Sequence, residues 1–134
     1  MKYTEGYKYR LEEPVTIVIP FLVPDFPIEK EEEKKEMVQV KGQILEISKH
    51  YSWDGSSGIP DTKCNLYASL IHDAWYQLIR RGLVCPSTRI LADTWYGELC
   101  RINGVPSPIS KLYAKVLKKF GLRAATKPRE VLCV

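Results

Sequence analysis

Apolar side chains in the first fifty residues recur with the spacing of β-strands. The segments 8–11 and 15–23 are rich in Val, Ile, Phe and Tyr, which favour strands. The prolines that interrupt these segments are Pro14, Pro20, Pro24 and Pro27. Because proline cannot donate a ladder hydrogen bond, we expect these strands to be short or to lie at a sheet edge.

The strand pattern stops at a charged run, 29–36, and resumes after it. The run EKEEEKKE has no apolar side chain, so we expect a solvated loop or a short charged helix there. Apolar residues then recur between 38 and 47, with Lys41 and Gly42 as the expected turn. The first fifty residues therefore predict a small antiparallel β-sheet.

Beyond position 62 the apolar spacing becomes that of α-helices. The positions that define the first helix are Leu66, Leu70, Ala74 and Leu78. Gly82 is expected to end this helix, and the Pro-Ser-Thr segment 86–88 offers an N-cap for a second helix that stops at Gly104. A third helix is expected to start within 106–110 and to end at Gly121.

These patterns together predict an α+β fold in a single domain, 1–134. Residues 1–50 form its β-rich part and include the charged excursion. Residues 51–121 supply a glycine-rich loop followed by a three-helix cluster, and 122–134 are expected to be a poorly packed tail. No stretch approaches the roughly 18–20 apolar residues of a membrane span. The start, MKYTEGYKYR, lacks the apolar run of a signal peptide, so we expect synthesis in a cytosol.

Positive charge is concentrated in the second part of the chain. Residues 1–50 carry 8 basic and 10 acidic side chains, whereas 51–134 carry 12 and 6, a net charge of about +6. This imbalance favours an anionic partner such as a lipid surface or nucleic acid, although there is no specific nucleic-acid motif. The alternative is that these cationic side chains only form the solvent-exposed surfaces of helices.

Cysteine spacing bears on metal binding and on redox state. The four cysteines are Cys64, Cys85, Cys100 and Cys133. None forms a C-x-x-C pair, which argues against a zinc knuckle. Without a signal peptide, we expect free thiols rather than disulfides.

Residues 51–95 hold the polar side chains that can carry chemistry. His72 lies in the middle of the first helix, and Tyr76 lies one turn later on the same face. Counting from the helix ends, His72 is about 12 Å and Asp93 about 9 Å from the short connection, at a rise of about 1.5 Å per residue. Because such a connection makes the helices antiparallel, we expect Asp93 to brace the imidazole and leave its other nitrogen as a base.

Asp73 and the loop before the first helix suggest a metal site. The loop contains Asp54, Gly55, Gly58 and Asp61, and its flexible backbone can turn carbonyl oxygens toward a hard cation. With the Asp73 carboxylate and water, this ligand set suits Ca²⁺, which would polarise an ester carbonyl. The alternative is a buried His–Asp hydrogen bond that only packs two helices, with Trp53 and Asp54 fastening the loop.

Three strings in order carry a family resemblance. They are WDGSSGIPDTK (53–63), ASLIHDAWYQLIRRG (68–82) and RILADTWYGELCRINGV (89–105), and they resemble an uncharacterised family of phage and prophage proteins, domain of unknown function 1353. The family pattern is a W-D-G-x-S-G-P loop, then H-D-x-x-Y, then A-D-x-x-F. The resemblance covers about 44–121. This chain departs from it at Ile59, which separates Gly58 from Pro60, and at Tyr96, which stands near the usual aromatic position. The resemblance implies a phage product in the host cytoplasm or in the virion.

A more distant resemblance concerns mechanism. The H-D-x-x-Y motif with a later Asp on an antiparallel helix is similar to phospholipase A2, especially the domain in parvovirus capsids. That resemblance implies His72 as base, Asp93 as the residue that orients it, and Tyr76 as support. It implies Asp73 as a Ca²⁺ ligand. The loop positions that would complete the metal site are Trp53, Gly55 and Gly58, whereas Asp54 and Ser57 would support the loop. The loop lacks the Y-x-G-x-G spacing of those enzymes.

Three functions follow as hypotheses. The first is a Ca²⁺-dependent lipid esterase that acts at a phospholipid or membrane surface. The second is a non-enzymatic virion or tail-associated protein that contacts other virion proteins and has a purely structural His–Asp pair. The third is a factor that binds a host protein or nucleic acid through its basic helices.

Overall fold

A computed structural model describes residues 1–5, 9–26, 37–54 and 63–125. At 63, 64 and 120–125 it describes the backbone and not the side chains. Within these residues the chain forms antiparallel β-sheet followed by three α-helices, so the expected α+β class is confirmed. The charged excursion 29–36, the loop residues 55–62 and the tail from 126 onward lie outside the described residues.

The β-rich part forms two small sheets where one was expected. In the first sheet, β1 (Tyr3–Thr4) pairs with β2 (Tyr9–Leu11), which pairs with β6 (Ser52–Trp53). The backbone of Leu11 also bonds to that of Tyr51 and His50, at 2.9 and 2.8 Å. These bonds attach the start of the predicted loop to the sheet, so the loop begins later than expected.

The second sheet contains the predicted turn. Its order is β3 (Val15–Val18), β5 (Ile44–Ile47) and β4 (Val38–Lys41), with Lys41 opposite Ile44. Val38, Leu45 and Ile47 are buried, as period-two alternation requires for a sheet with one face against a core. β3 ends two residues before Pro20, consistent with the limit that proline places on strands.

The three helices are α1 (Lys63–Arg80), α2 (Arg89–Ile102) and α3 (Ser107–Ala125). α1 and α2 are antiparallel, because His72 contacts Asp93 whereas the later Trp75 contacts the earlier Thr88. Gly82 and Gly104 follow α1 and α2 with positive φ angles of 73° and 107°, which glycine adopts without steric cost. Both predicted helix stops are therefore confirmed.

Two helix ends differ from the predictions. Thr88, within the predicted segment 86–88, is the N-cap residue of α2, but its hydroxyl makes no cap hydrogen bond there. Instead it donates to the Cys85 carbonyl at 2.6 Å and accepts from Trp75 Nε1 at 2.8 Å, inside the 3-10 turn Pro86–Thr88. Gly121 does not end α3, which continues to Ala125. A single glycine inside a helix costs only about 1 kcal/mol, which the rest of a long helix can offset.

The expectation of free thiols is wrong at Cys85, which is disulfide-bonded. The spacing of cysteines in the sequence does not show which sulfur atoms approach each other, so it could not reveal this bond. Cys100 is a buried thiol. Within the described residues, no helix combines the length and the apolar character needed to cross a membrane.

Candidate functional site

The centre of the site is a hydrogen bond between the first two helices. His72 Nε2 lies 2.7 Å from Asp93 Oδ1. His72 is eight residues before the end of α1, and Asp93 is seven residues after Pro86, where the 3-10 turn that leads into α2 begins, so the two lie at similar depth beside the connection. The Asp93 side chain is fully buried. The structure thus brings together the pair that helix geometry predicted.

Tyr76 belongs to the same network. Its hydroxyl donates to Asp93 Oδ1 at 2.6 Å, and its ring lies 4.1 Å from the His72 ring, centroid to centroid. This arrangement follows from the sequence, because residues four apart on a helix share a face. Burial and the hydrogen bond to Asp93 both raise the pKa of Tyr76, so its hydroxyl stays protonated and remains a donor.

Arg89 was not predicted to take part. Its Nη1 lies 3.6 Å from Asp93 Oδ2, and it donates to the backbone carbonyl of Lys118 on α3 at 3.1 Å. Among the described side chains, Asp93 Oδ2 is a fully buried oxygen without a hydrogen bond, so the guanidinium is its nearest compensation. The i, i+4 spacing of Arg89 and Asp93 on a helix was the signal that could have identified this pair.

The donors around Asp93 define the state of the imidazole. The hydroxyl of Tyr76 donates to one oxygen of Asp93, and the guanidinium of Arg89 lies beside the other. A carboxylate so placed accepts the proton of His72 Nε2, which leaves Nδ1 as the basic nitrogen of the neutral ring. Burial lowers the pKa of His72, but its contacts with the carboxylates of Asp73 and Asp93 raise it by more, and the net pKa lies above 6.5.

Nδ1 of His72 faces the more open side of the site. The nearest Asp73 oxygen is 4.0 Å from Nδ1, which is too long for a direct hydrogen bond. The Asp73 side chain is 31% exposed, whereas the His72 side chain is 9% exposed. The Tyr96 ring packs edge-on against the imidazole on another side, at 5.6 Å between centroids. Nδ1 therefore lies on the side of the partly exposed Asp73 carboxylate.

A second carboxylate lies near Asp73. Burial raises the pKa of Asp73, and the negative charge of Asp54 adds to this effect, while His72 and Arg80 oppose it. The same two carboxylates act on Tyr51, whose pKa is raised mainly by burial. Asp54 and Asp73 thus form an electronegative corner at the point where β6 leads into the glycine-rich segment.

Trp53 anchors that segment to the protein. Its indole Nε1 donates to Ser69 Oγ on α1 at 3.0 Å, and its side chain is buried against Tyr3 and Tyr9. Trp53 therefore fastens the start of the loop, which was one of the two roles that the sequence analysis considered for it. Of the other loop positions, Asp54 is described and exposed, while Gly55, Ser57 and Gly58 lie outside the described residues.

Trp75, Trp95 and Tyr96 are buried in the core. Among the residues whose side chains the structure describes, no three histidine, cysteine, aspartate or glutamate side chains converge as a metal site would require. The calcium site therefore stays a prediction that depends on Asp73, Asp54 and backbone oxygens.

Comparison with known proteins leaves the site to be judged on its geometry. No protein-family model matches the chain, and neither curated proteins nor solved structures give a match.

Proposed function

We propose that this protein is a phage-encoded, calcium-dependent lipid esterase with a helix hairpin of the phospholipase A2 kind. The observation that carries the proposal is the 2.7 Å contact between His72 Nε2 and the buried Asp93 carboxylate. An imidazole fixed at one nitrogen by a carboxylate presents the other as a general base, which is the requirement for activating water.

Each residue of the network has a defined task. His72 Nδ1 accepts a proton from a water molecule as that water attacks an ester carbonyl, and it later returns the proton to the leaving alcohol. Asp93 keeps the ring in the tautomer with hydrogen on Nε2 and stabilises the positive charge that the ring acquires. Tyr76 and Arg89 hold the carboxylate in place from its two oxygens.

The residues beside the base suit a hard divalent cation. Asp73 and Asp54 supply carboxylate oxygens, the donor type that Ca²⁺ prefers. Burial is the main cause of the raised pKa of Asp73, and the charge of Asp54 adds a smaller effect, which a cation bound between the two carboxylates would relieve. A bound Ca²⁺ would polarise the ester carbonyl and stabilise the oxyanion.

The test is release of fatty acid from phospholipid vesicles. The wild-type protein is assayed with Ca²⁺ and with EDTA, and the variant His72→Asn is assayed with Ca²⁺. His50→Asn is the matched control, because His50 is the other histidine and is exposed. We expect release only from wild type and His50→Asn with Ca²⁺. Equal release in all four samples, or none in any, contradicts the proposal.

Burial supports a second candidate, a non-enzymatic virion or tail-associated protein. Only 9% of the His72 side chain is exposed, and the Asp93 side chain is fully buried, as in a bond that joins two helices. This candidate predicts that His72→Asn lowers the unfolding free energy by about 1–3 kcal/mol. It also predicts no calcium-dependent release from the wild-type protein, which separates it from the esterase.

A further inference from the structure

The outward face of α3 combines lysines with exposed apolar side chains. Its exposed side chains over 107–119 include four lysines and two large apolar residues, called here the lysine face. These residues are Ile109, Lys111, Leu112, Lys115, Lys118 and Lys119. The opposite side of the helix is buried through Ser110, Ala114 and Leu117. α3 is therefore held to the protein by one side and presents the other to its surroundings.

The charge of the lysine face is of one sign. The sequence 107–125 contains no aspartate or glutamate. The acidic group of α2 that comes near is Glu98, and it is already paired with Arg101 at 2.9 Å. Lys111 also lowers the pKa of Glu98 through its charge, but Lys115 and Lys118 lie one and two turns farther along α3. The charges of Lys115 and Lys118 are thus distant from Glu98 and face an anionic partner on this side of α3.

The apolar residues distinguish between anionic partners. Leu112 is 56% exposed and Ile109 is 42% exposed, and their i, i+3 spacing places them together beside the lysines. Exposed leucine and isoleucine next to lysine suit a lipid surface, where apolar side chains enter the acyl region and lysines reach the headgroups. Nucleic-acid backbones offer charge to lysine but little to these two side chains.

We propose that the lysine face of α3 docks on an anionic phospholipid bilayer. The inference deepens the proposed lipid esterase, on which it rests, by naming the surface on which that enzyme would work. A structural link connects the two: Arg89 binds the Lys118 carbonyl of α3 and lies 3.6 Å from Asp93. The docked helix and the hydrogen-bond network of His72 therefore share a side chain.

Vesicle sedimentation tests the proposal directly. The full chain is mixed with two kinds of vesicle, one of phosphatidylcholine alone and one of phosphatidylcholine with a large fraction of the anionic lipid phosphatidylglycerol. Both mixtures contain EDTA, so that neither calcium nor turnover contributes to binding. The test variant changes three exposed lysines of α3 to glutamine, a good helix former: Lys111→Gln, Lys115→Gln and Lys118→Gln. The matched control makes the same change of charge in the β-rich part: Lys2→Gln, Lys41→Gln and Lys49→Gln.

We expect the wild type and the control to bind the anionic vesicles and the test variant to bind on the order of 100-fold more weakly, about fivefold for each lysine. A further variant, Leu112→Gln, should weaken binding while leaving the salt dependence as in the wild type. Equal weakening in test and control variants overturns the proposal, since net charge alone then explains binding. So does absence of wild-type binding, or binding to duplex DNA that exceeds binding to vesicles.

The outcomes separate docking from catalysis. Vesicle binding that is lost in the lysine variant, with no fatty acid released by any form, supports the docking surface and contradicts the esterase. If the esterase is correct, the lysine variant should still hydrolyse a dispersed short-chain phospholipid at the wild-type rate, and lose activity only on anionic vesicles. If the lysine variant and the wild type release fatty acid from anionic vesicles at equal rates, the docking proposal is contradicted but the esterase proposal is not.

Discussion

Replacing Asp93 by asparagine changes the charge at the centre of the site while nearly preserving its shape. The Asp93 side chain is fully buried, and its Oδ1 accepts two hydrogen bonds, from His72 and Tyr76. An amide oxygen can keep both contacts, but only as bonds to a neutral acceptor. The amide nitrogen would then face the guanidinium of Arg89. Both groups are hydrogen-bond donors, so neither can accept from the other.

The expected loss of stability follows from these contacts. A hydrogen bond to a charged group contributes roughly 1.5–3 kcal/mol, and one between neutral groups roughly 0.5–1.5 kcal/mol. Weakening two bonds in this way therefore costs about 2–3 kcal/mol. Loss of the counter-charge for Arg89, which is 17% exposed, adds to this. We expect Asp93→Asn to lower the unfolding free energy by about 3 kcal/mol.

Urea unfolding, followed by the fluorescence of the buried Trp75 and Trp95, measures this change. With a slope of about 2 kcal/mol/M, the midpoint should fall by about 1.5 M while the slope stays constant. Asp25→Asn is the control, because Asp25 is exposed, and it should leave the midpoint unchanged. A loss below about 1 kcal/mol for Asp93→Asn would show that the carboxylate is not bound as described.

Three further predictions concern the same network and its supports. Tyr76→Phe should lower the unfolding free energy in urea by about 2 kcal/mol, because it removes the donor to Asp93 Oδ1. In the double variant with Asp93→Asn, the loss of unfolding free energy should be smaller than the sum of the two single losses, and strict additivity would refute the contact. Gly97→Ala should lower stability by about 1 kcal/mol, because its new Cβ would lie 3.1 Å from both the Ala114 Cβ and the Ser110 carbonyl oxygen; a higher melting temperature would contradict this. The raised pKa of His72 means that protonation favours the folded state, so this contribution is complete below pH 6.5 and disappears as pH rises through the folded pKa. In EDTA the unfolding free energy should therefore fall above pH 6.5 in the wild type and stay flatter in His72→Asn, and equal slopes would exclude this origin.

Local patterns in the sequence predicted the helices well because each is defined by nearby residues. The i, i+4 recurrence from Leu66 to Leu78 and the glycine at position 82 bound α1 without reference to the rest of the protein. The division of the β-rich part into two sheets was not predictable, since it depends on Trp53 pairing with Tyr9 across more than forty residues. The segment 86–88 was correctly predicted to supply the N-cap, but the bond of the Thr88 hydroxyl to Trp75 was not predictable, because Trp75 comes from another helix.

The site was partly predictable for the same reason. Counting residues from a short connection was enough to place His72 beside Asp93, because helix rise is constant. Arg89 was missed, since its role appears only when α3 brings the Lys118 carbonyl within reach. The sequence grouped Asp73 with the loop that contains Asp54, and the effect of Asp54 on the pKa of Asp73 agrees with that placement.

The central claim is that Asp93 holds the proton of His72 on Nε2 and leaves Nδ1 as the base. Nitrogen-15 NMR of the imidazole side chains tests it most directly, and the chain has only two histidines, so His50→Asn assigns the spectrum. Above the pKa of His72, we predict a protonated Nε2 and an unprotonated Nδ1. A spectrum with the proton on Nδ1, or with both tautomers equally populated, would contradict the account.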